Sequence, residues 1–490
     1  MIATPGRLMA VLAPAILVYV VLLAMLPASS NDTWADSAWL VQVSSRMSAG
    51  DTLYRDVFSG TTPVAFVVQS LASRVVSDGF LILLVTTHGL FALTLLLTAT
   101  TAEILGIPRM ATLAAFALLT VWITPLPGAA YSWWALAFLA ATQLAVACWA
   151  RWTPWKTNGS WRAAAVAGVM AGLAFCSKPN VGLLALAALV ASMAWIGRST
   201  SHGTDKAIRH AGLAVGTFAA VAGSCVLAIA FSGAWDSFLV QNFTGKTVYL
   251  SRAGVSYQPF LEQAIDLDAI ATRPVGWLRS TIYLVPLCLP GLWFVRRRQN
   301  WIPILGIFAL AGLAAAYPRP DIHHIFLAAP ALALAAAALL SALVPRRLPR
   351  LTLIAVGAVA MLAAVLHFRT TAELPRGEND ALRQQARTLV PHAPGGTLFV
   401  LHEEAPLIYA WTGLRNPTRY DYPLVTGFGP NGQQEVIALI EAGRVPTICA
   451  APNSPQWMDM APELLLKYVE ERLQPGPDLI VCRIYVAPVR

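Results

Sequence analysis

The sequence predicts a mainly α-helical polytopic membrane protein with a small C-terminal α/β soluble domain, and three observations carry that prediction. Of the 490 residues 57% are hydrophobic and only 12% charged, with a mean hydropathy of +0.60, more apolar than a soluble domain with a polar surface sustains. Apolar runs long enough to cross roughly 30 Å of hydrocarbon recur about eleven times, near 8–28, 79–100, 110–124, 132–150, 162–177, 181–197, 211–231, 277–295, 301–316, 323–344 and 351–367. From Phe368 onward the composition becomes that of a soluble domain of ordinary size. The expected division is therefore a membrane domain over 1–367, with a first outer loop at 29–78, and an extracytoplasmic α/β domain over 368–490.

Charge fixes the expected orientation. With a cytoplasmic N-terminus, the cytoplasmic segments between Arg7 and Arg350 hold fourteen basic residues against only Glu103 and Asp205, as the positive-inside rule requires. The formal net charge of +9 is thus read as a topology determinant, and no nucleic-acid partner is expected. An odd number of spans places the C-terminal domain outside. The run 8–26 is longer than a usual signal-peptide core and is read as a retained span.

The first polar segment, Asn31 to Pro63, holds four aspartates, Asp32, Asp36, Asp51 and Asp56, in a chain otherwise sparse in acid. Between Ala35 and Ser48 the apolar residues Trp39, Val43 and Met47 recur at helical spacing among Ser37, Gln42, Ser44, Ser45 and Arg46, which predicts a short amphipathic helix. Asn31 or Asp32 can cap it and Gly50 can end it. Lying on the membrane surface, it would hold Asp36 at the boundary between lipid and water. Thr61 to Val76, with Pro63 near its first turn, reads as a second surface helix.

Further along, paired Trp133 and Trp134 read as interfacial belt residues. Lys178 sits in the short Ser177-Lys178-Pro179-Asn180 junction, either as a lysine snorkelling to headgroups or as a cation for a lipid phosphate. The longer outer loop from Trp235 to Trp277 holds Lys246 and Arg252, and the segment from Tyr317 to His324 concentrates Arg319, Asp321, His323 and His324. There one histidine oriented by Asp321 and a plain helix cap by Asp321 are both open readings. His88, the main titratable residue inside a span, reads as a satisfied core residue. In the tail, helical patterns near 378–390, 432–443 and 461–473 alternate with strand-like runs at 397–402, 446–450 and 479–486, a small α/β layer. A disulfide between Cys449 and Cys482 is open on spacing alone.

Polar and ionisable residues thus collect on one face, while the spans carry almost no midplane charge of the kind transporters use. A carboxylate beside cations at an interface suits transfer of a sugar from a lipid phosphate: the acceptor hydroxyl needs a general base, and the leaving phosphate needs positive charge. A transporter or flippase of lipid-linked sugars is the alternative.

The run Asp36-Ser-Ala-Trp-Leu, then Arg46-Met, Gly50-Asp-Thr-Leu-Tyr54-Arg-Asp56 and Thr62-Pro63 resembles the first outer loop of bacterial integral-membrane glycosyltransferases of the GT-C superfamily, especially family 39 and the lipid A aminoarabinose transferases. The usual acidic pair of that family stands here as Asp36-Ser37, and its Pro-Pro as Thr62-Pro63. The resemblance implies a GT-C-like fold in the bacterial inner membrane and a polyprenyl-phosphate sugar donor. It also implies a lipid, glycan or protein acceptor and inversion at the anomeric carbon. Asp36 would be the catalytic base, with Lys178, Arg252 and Arg319 meeting the donor phosphate. Asp32, Tyr54, Asp56, Lys246, Asp321, His323 and His324 are further site candidates, and a divalent metal ion stays open.

Overall fold

The computed structural model describes residues 35–123, 130–152, 159–198, 204–245, 254–266, 268, 272, 274–295, 301–343, 376–423, 425–451 and 462–488. The expected spans at 8–28 and 351–367, the domain boundary at 368, and Asp32, Lys246 and Arg252 lie outside these residues.

Two short helices open the described chain, α1 (Ala35–Ser48) and α2 (Val64–Ser73). The long apolar helices follow: α3 (Gly79–Leu105), α4 (Arg109–Ile123), α5 (Ala130–Trp152), α6 (Gly159–Ser177), α7 (Pro179–Arg198) and α8 (Thr204–Phe231). Asp78 caps α3 by accepting from the Phe80 and Leu81 amides. Inside α3, Thr94, Thr98 and Thr101 return their hydroxyls to the carbonyls four residues back, so that hydroxyls in an apolar span are satisfied within their own helix. After α8 come α9 (Trp235–Leu239), α10 (Gln258–Ile265), α11 (Pro274–Ser280), α12 (Leu289–Val295), α13 (Ile302–Ala315) and α14 (Ala329–Leu343). Among the described residues, six helices are long and apolar enough to cross a membrane.

One expected span takes another form. Residues 277–295 are not a single helix: α11 ends at Ser280, two 3-10 turns follow over Thr281–Tyr283 and Val285–Cys288, and α12 resumes at Leu289. Pro286 and Pro290 each remove a backbone donor and crowd the preceding turn, which interrupts the helix inside the apolar run. Trp133 also departs from expectation. It is fully buried, with its ring against Phe91 and Phe326, and so belongs to the helix-packing core, not to an interfacial belt. His88 is buried with Nδ1 against the Leu84 carbonyl at 2.8 Å, a satisfied core residue.

The tail forms a mixed four-stranded sheet in the order β1 (Phe399–Leu401), β2 (Thr447–Ala450), β4 (Arg483–Val486), β3 (Gln474–Asp478). β1 runs parallel to β2, and the crossover between them carries α16 (Ala405–Thr412) and α17 (Val425–Glu441). α15 (Arg376–Arg387) precedes the sheet and α18 (Glu463–Arg472) joins β2 to β3. Alternation sorts the strands onto two cores: Phe399, Leu401, Ile448 and Tyr485 pack with α17 and α18, while Val400, Cys449 and Ile484 face Ala386, Ile408 and Tyr409 on the other side. β3 reads QPGPD, a poor strand sequence, and is accommodated as an edge strand with an irregular register between Pro475 and Asp478. A disulfide links Cys449 to Cys482.

The polar face of the first-loop helix is not open to solvent. Ser37, Gln42, Ser44 and Arg46 of α1, expected on its solvated face, are buried: Ser44 donates to the Phe66 carbonyl of α2, while Gln42 and Arg46 meet Asp421 of the C-terminal domain. Arg46 donates to the Asp421 carboxylate, to the Thr418 carbonyl, to Asp51 at 2.8 Å and to the Asp56 carbonyl. Arg415 adds a contact to Asp51. Gly50 ends α1 at φ +110°, a conformation open to glycine.

Candidate active site at the first-loop face

The first loop is tied to the end of α6 that carries Lys178. The Thr61 hydroxyl donates to the Ser177 carbonyl and that of Thr62 to the Phe175 carbonyl. Tyr54, fully buried at a left-handed φ of 72°, donates its hydroxyl to the Thr61 carbonyl at 2.9 Å and gives its own carbonyl to Gln241. A tyrosine in this region of backbone space is costly and persists only where its surroundings hold it. Asp56 caps the loop turn by accepting from the Thr52 amide and pairs with Arg55, which holds its carboxyl below the usual range. Tyr54 and Asp56 therefore build the loop.

Lys178 leaves α6 pointing at the start of α5. Its ammonium lies 3.4 Å from the Ser132 hydroxyl and 6.0 Å over the Tyr131 ring. The same Tyr131 ring meets the edge of Trp39, one turn on from Asp36, at 6.4 Å, and Trp39 also meets Tyr422 of the C-terminal domain at 6.5 Å. Asp36, half-buried in the first turn of α1, acts electrostatically on Tyr422 and Glu404. Burial first, then the charges of Asp36, Glu404 and Glu403, hold the Tyr422 phenol well above its ordinary range. Glu404 is pushed up to about 7, by burial first and then by Glu403 and Asp36. One of its carboxyl oxygens is buried with no hydrogen-bond partner among the described residues.

On the other side of Lys178, Asp321 organises the expected segment before α14. Its carboxylate receives Arg319 at 2.9 Å and His324 at 2.7 Å, and no side-chain cap bond is made. Burial alone would raise Asp321, but the His324 bond and the neighbouring positive charges outweigh it and lower it to about 2. Lys178 and His324 lie close enough to act on one another, and His323 lies within the field of Asp321 and Arg279. Asn180, two residues after Lys178, donates to the Ala315 carbonyl just before this segment. Lys178, Arg319, Asp321, His323 and His324 thus act on one another, Trp39 beside Asp36 reaches Lys178 through the Tyr131 ring, and Tyr54 and Asp56 are loop supports.

Tyr131, Tyr422 and Glu404 had no sequence signal of their own: each is a single residue in an unremarked run, Tyr131 at the start of α5 and the other two brought to α1 by docking of the tail. A groove of about 970 Å³ in the C-terminal domain, lined by Ile437, Lys467, Tyr468 and Glu471 among others, contains none of these residues. Among the described residues no three His, Cys, Asp or Glu side chains are placed to hold a metal ion.

ArnT from Cupriavidus metallidurans bound to undecaprenyl phosphate superposes with a TM-score of 0.64 at 14% identity, over 99% of each chain. The fold is GT-C-like. The archaeal oligosaccharyltransferase AglB from Archaeoglobus fulgidus, in complex with an inhibitory peptide and a dolichol-phosphate, gives 0.56 at 12% identity over 91% of this chain and 69% of that one. The arabinofuranosyltransferase AftD from Mycobacteria gives 0.50 at 14% identity, over 100% of this chain and 40% of AftD. No family model and no curated protein sequence matches the chain.

Proposed function

We propose that this protein transfers a sugar from a polyprenyl-phosphate-linked donor to an acceptor at the outer face of a bacterial inner membrane, with inversion at the anomeric carbon. The observation that carries the reading is the seating of Lys178 over the Tyr131 ring, which in turn meets Trp39, one turn on from Asp36, so that a cation and a carboxylate are linked through two aromatic rings in a GT-C-like fold. Two solved proteins of this fold hold lipid phosphates, undecaprenyl phosphate in ArnT and a dolichol-phosphate in AglB.

In this reading Asp36 accepts the proton of the acceptor hydroxyl as its oxygen attacks the anomeric carbon. The bond from that carbon to the phosphate oxygen breaks on the opposite face, and the polyprenyl phosphate leaves with both electrons. Its charge needs a cation, not an acid, because phosphate is already a good leaving group. Lys178, held by Ser132 and Tyr131, supplies that cation, and Arg252 is proposed to join it from the outer loop. Arg319 contributes less, since its guanidinium is already shared with Asp321. Glu404, with its buried carboxyl oxygen, is placed to hold a substrate hydroxyl beside Asp36.

The outer placement is supported by the positive-inside distribution and by the Cys449–Cys482 disulfide, since such bonds persist in oxidising compartments. The acceptor is a lipid, glycan or protein. Purified protein in lipid nanodiscs, given a polyprenyl-phosphate sugar and an acceptor fraction, should release free polyprenyl phosphate. Movement of intact donor between leaflets of proteoliposomes without that release would favour a flippase and overturn the proposal.

A further inference from the structure

Helices α6 and α8 run parallel and pack backbone to backbone. Their closest approach follows one line of small residues at four-residue spacing, Gly168, Gly172 and Cys176 on α6. A Cβ placed on Gly168 would collide with the Ala214 carbonyl oxygen, and one on Gly172 would fall 2.8 Å from the Val221 Cβ and 3.2 Å from the Phe218 carbonyl oxygen. Thr217 bridges the same seam by donating to the Ala165 carbonyl at 3.1 Å. Small residues spaced in this way let two membrane helices approach more closely than ordinary side chains allow. Cys176 is the next rung. Its thiol lies 3.9 Å from the Val221 carbonyl oxygen and is within side-chain hydrogen-bonding reach of the Cys225 thiol, one turn further along α8. Both cysteines are free thiols.

We propose that Cys176 and Cys225 form a second disulfide site, an oxidisable thiol pair that can staple α6 to α8 two residues before Lys178. Two circumstances set the surroundings in which the pair reacts. It sits at the first-loop end of the bundle, the end onto which the disulfide-bearing C-terminal domain docks through Arg46 and Asp421. It is also screened there: Cys225 packs against the cluster of Tyr54, Phe66 and Phe238 under the first loop, and Cys176 is buried. Cys225 is only partly buried, so a small oxidant such as peroxide reaches the pair from its side. With peroxide as the oxidant, one thiol becomes a sulfenic acid and releases one water. The second sulfur then displaces a second water, so that two thiols and one peroxide give one disulfide and two waters.

The test uses the full-length protein purified in detergent. After exposure to hydrogen peroxide, remaining thiols are alkylated under denaturing conditions and the digest is read by mass spectrometry without reduction. The expected product is a peptide linking Cys176 to Cys225, formed equally in Cys148→Ser and absent in Cys225→Ser, with the Cys449–Cys482 link unchanged throughout. Recovery of Cys176 and Cys225 both alkylated, both separately over-oxidised, or linked to Cys148 or Cys288 would overturn the proposal.

Discussion

The two ends of α1 are built on opposite principles. At its C-terminal end Arg46 is buried and satisfied on every side, by Asp51, by the Asp56 and Thr418 carbonyls and by an Asp421 with no exposed surface. At its N-terminal end Asp36 shares its surroundings with Glu404, Glu403 and Tyr422, groups that disfavour one another's charge. Opposite charges close one end and like charges crowd the other. The first arrangement fixes the C-terminal domain to the loop, and that anchor lets the second persist, since the crowded carboxyls could otherwise relax apart. Preorganised, unrelieved polar groups are what a site gains from such a scaffold.

The largest effect of breaking this contrast is expected at the anchor. Arg46→Met leaves Asp421 buried without its cation, a change that costs on the order of 3–5 kcal/mol in comparable buried pairs. Limited proteolysis should release the C-terminal domain of that variant far faster than that of the parent, whereas Arg46→Met combined with Asp421→Leu should recover much of the loss. Equal proteolysis of parent and single variant would mean that the clamp does not hold the domain. A smaller effect is expected at the cation. If Lys178 meets the donor phosphate, Lys178→Ala loses a charge-assisted contact and should raise the half-saturating donor concentration by about 10–100-fold. Lys178→Arg should fall between, because its planar fork has a different shape and reach.

The smallest effect sharpens the crowded end. Glu404 is raised from 4.5 to about 7 and Asp421 from 3.8 to about 6, burial being the first cause in both. A carboxyl raised in the folded state contributes stability that is fully present below its unfolded value and lost as pH rises through its folded value. The thermal midpoint of the parent should therefore fall as pH is raised from about 5 to about 8, and Glu404→Gln should flatten that fall. Parallel profiles for the two proteins would show that Glu404 does not titrate in this window.

Much of the membrane domain was legible because long apolar runs admit few structures: a backbone in hydrocarbon must close its own hydrogen bonds, so the runs near 79–100, 132–150 and 211–231 became helices close to where they were read. Positions at which two polar surfaces meet were not legible. Gln42 and Arg46 read as a solvated face, and nothing local announces that Asp421, nearly four hundred residues away, will pair with them. Tyr422 and Glu404 were missed for the same reason, since a site assembled by docking leaves no spacing in the chain, and Tyr131 stands alone at the start of α5. The β3 run QPGPD was hidden by its own composition, because prolines argue against a strand unless it lies at an edge, which only the sheet reveals.

The central claim is that the crowded end of α1 performs the chemistry through Asp36, and turnover of Asp36→Asn beside Asp32→Asn tests it most directly. Asparagine keeps the size of aspartate and most of its hydrogen bonding and caps a helix as well as aspartate does, but it lacks the basic oxygen. The account predicts a folded Asp36→Asn protein whose sugar transfer is about 10²–10⁴-fold slower, with Asp32→Asn close to the parent. Near-normal turnover of Asp36→Asn, with Asp32→Asn inactive, would contradict it and move the base to Asp32.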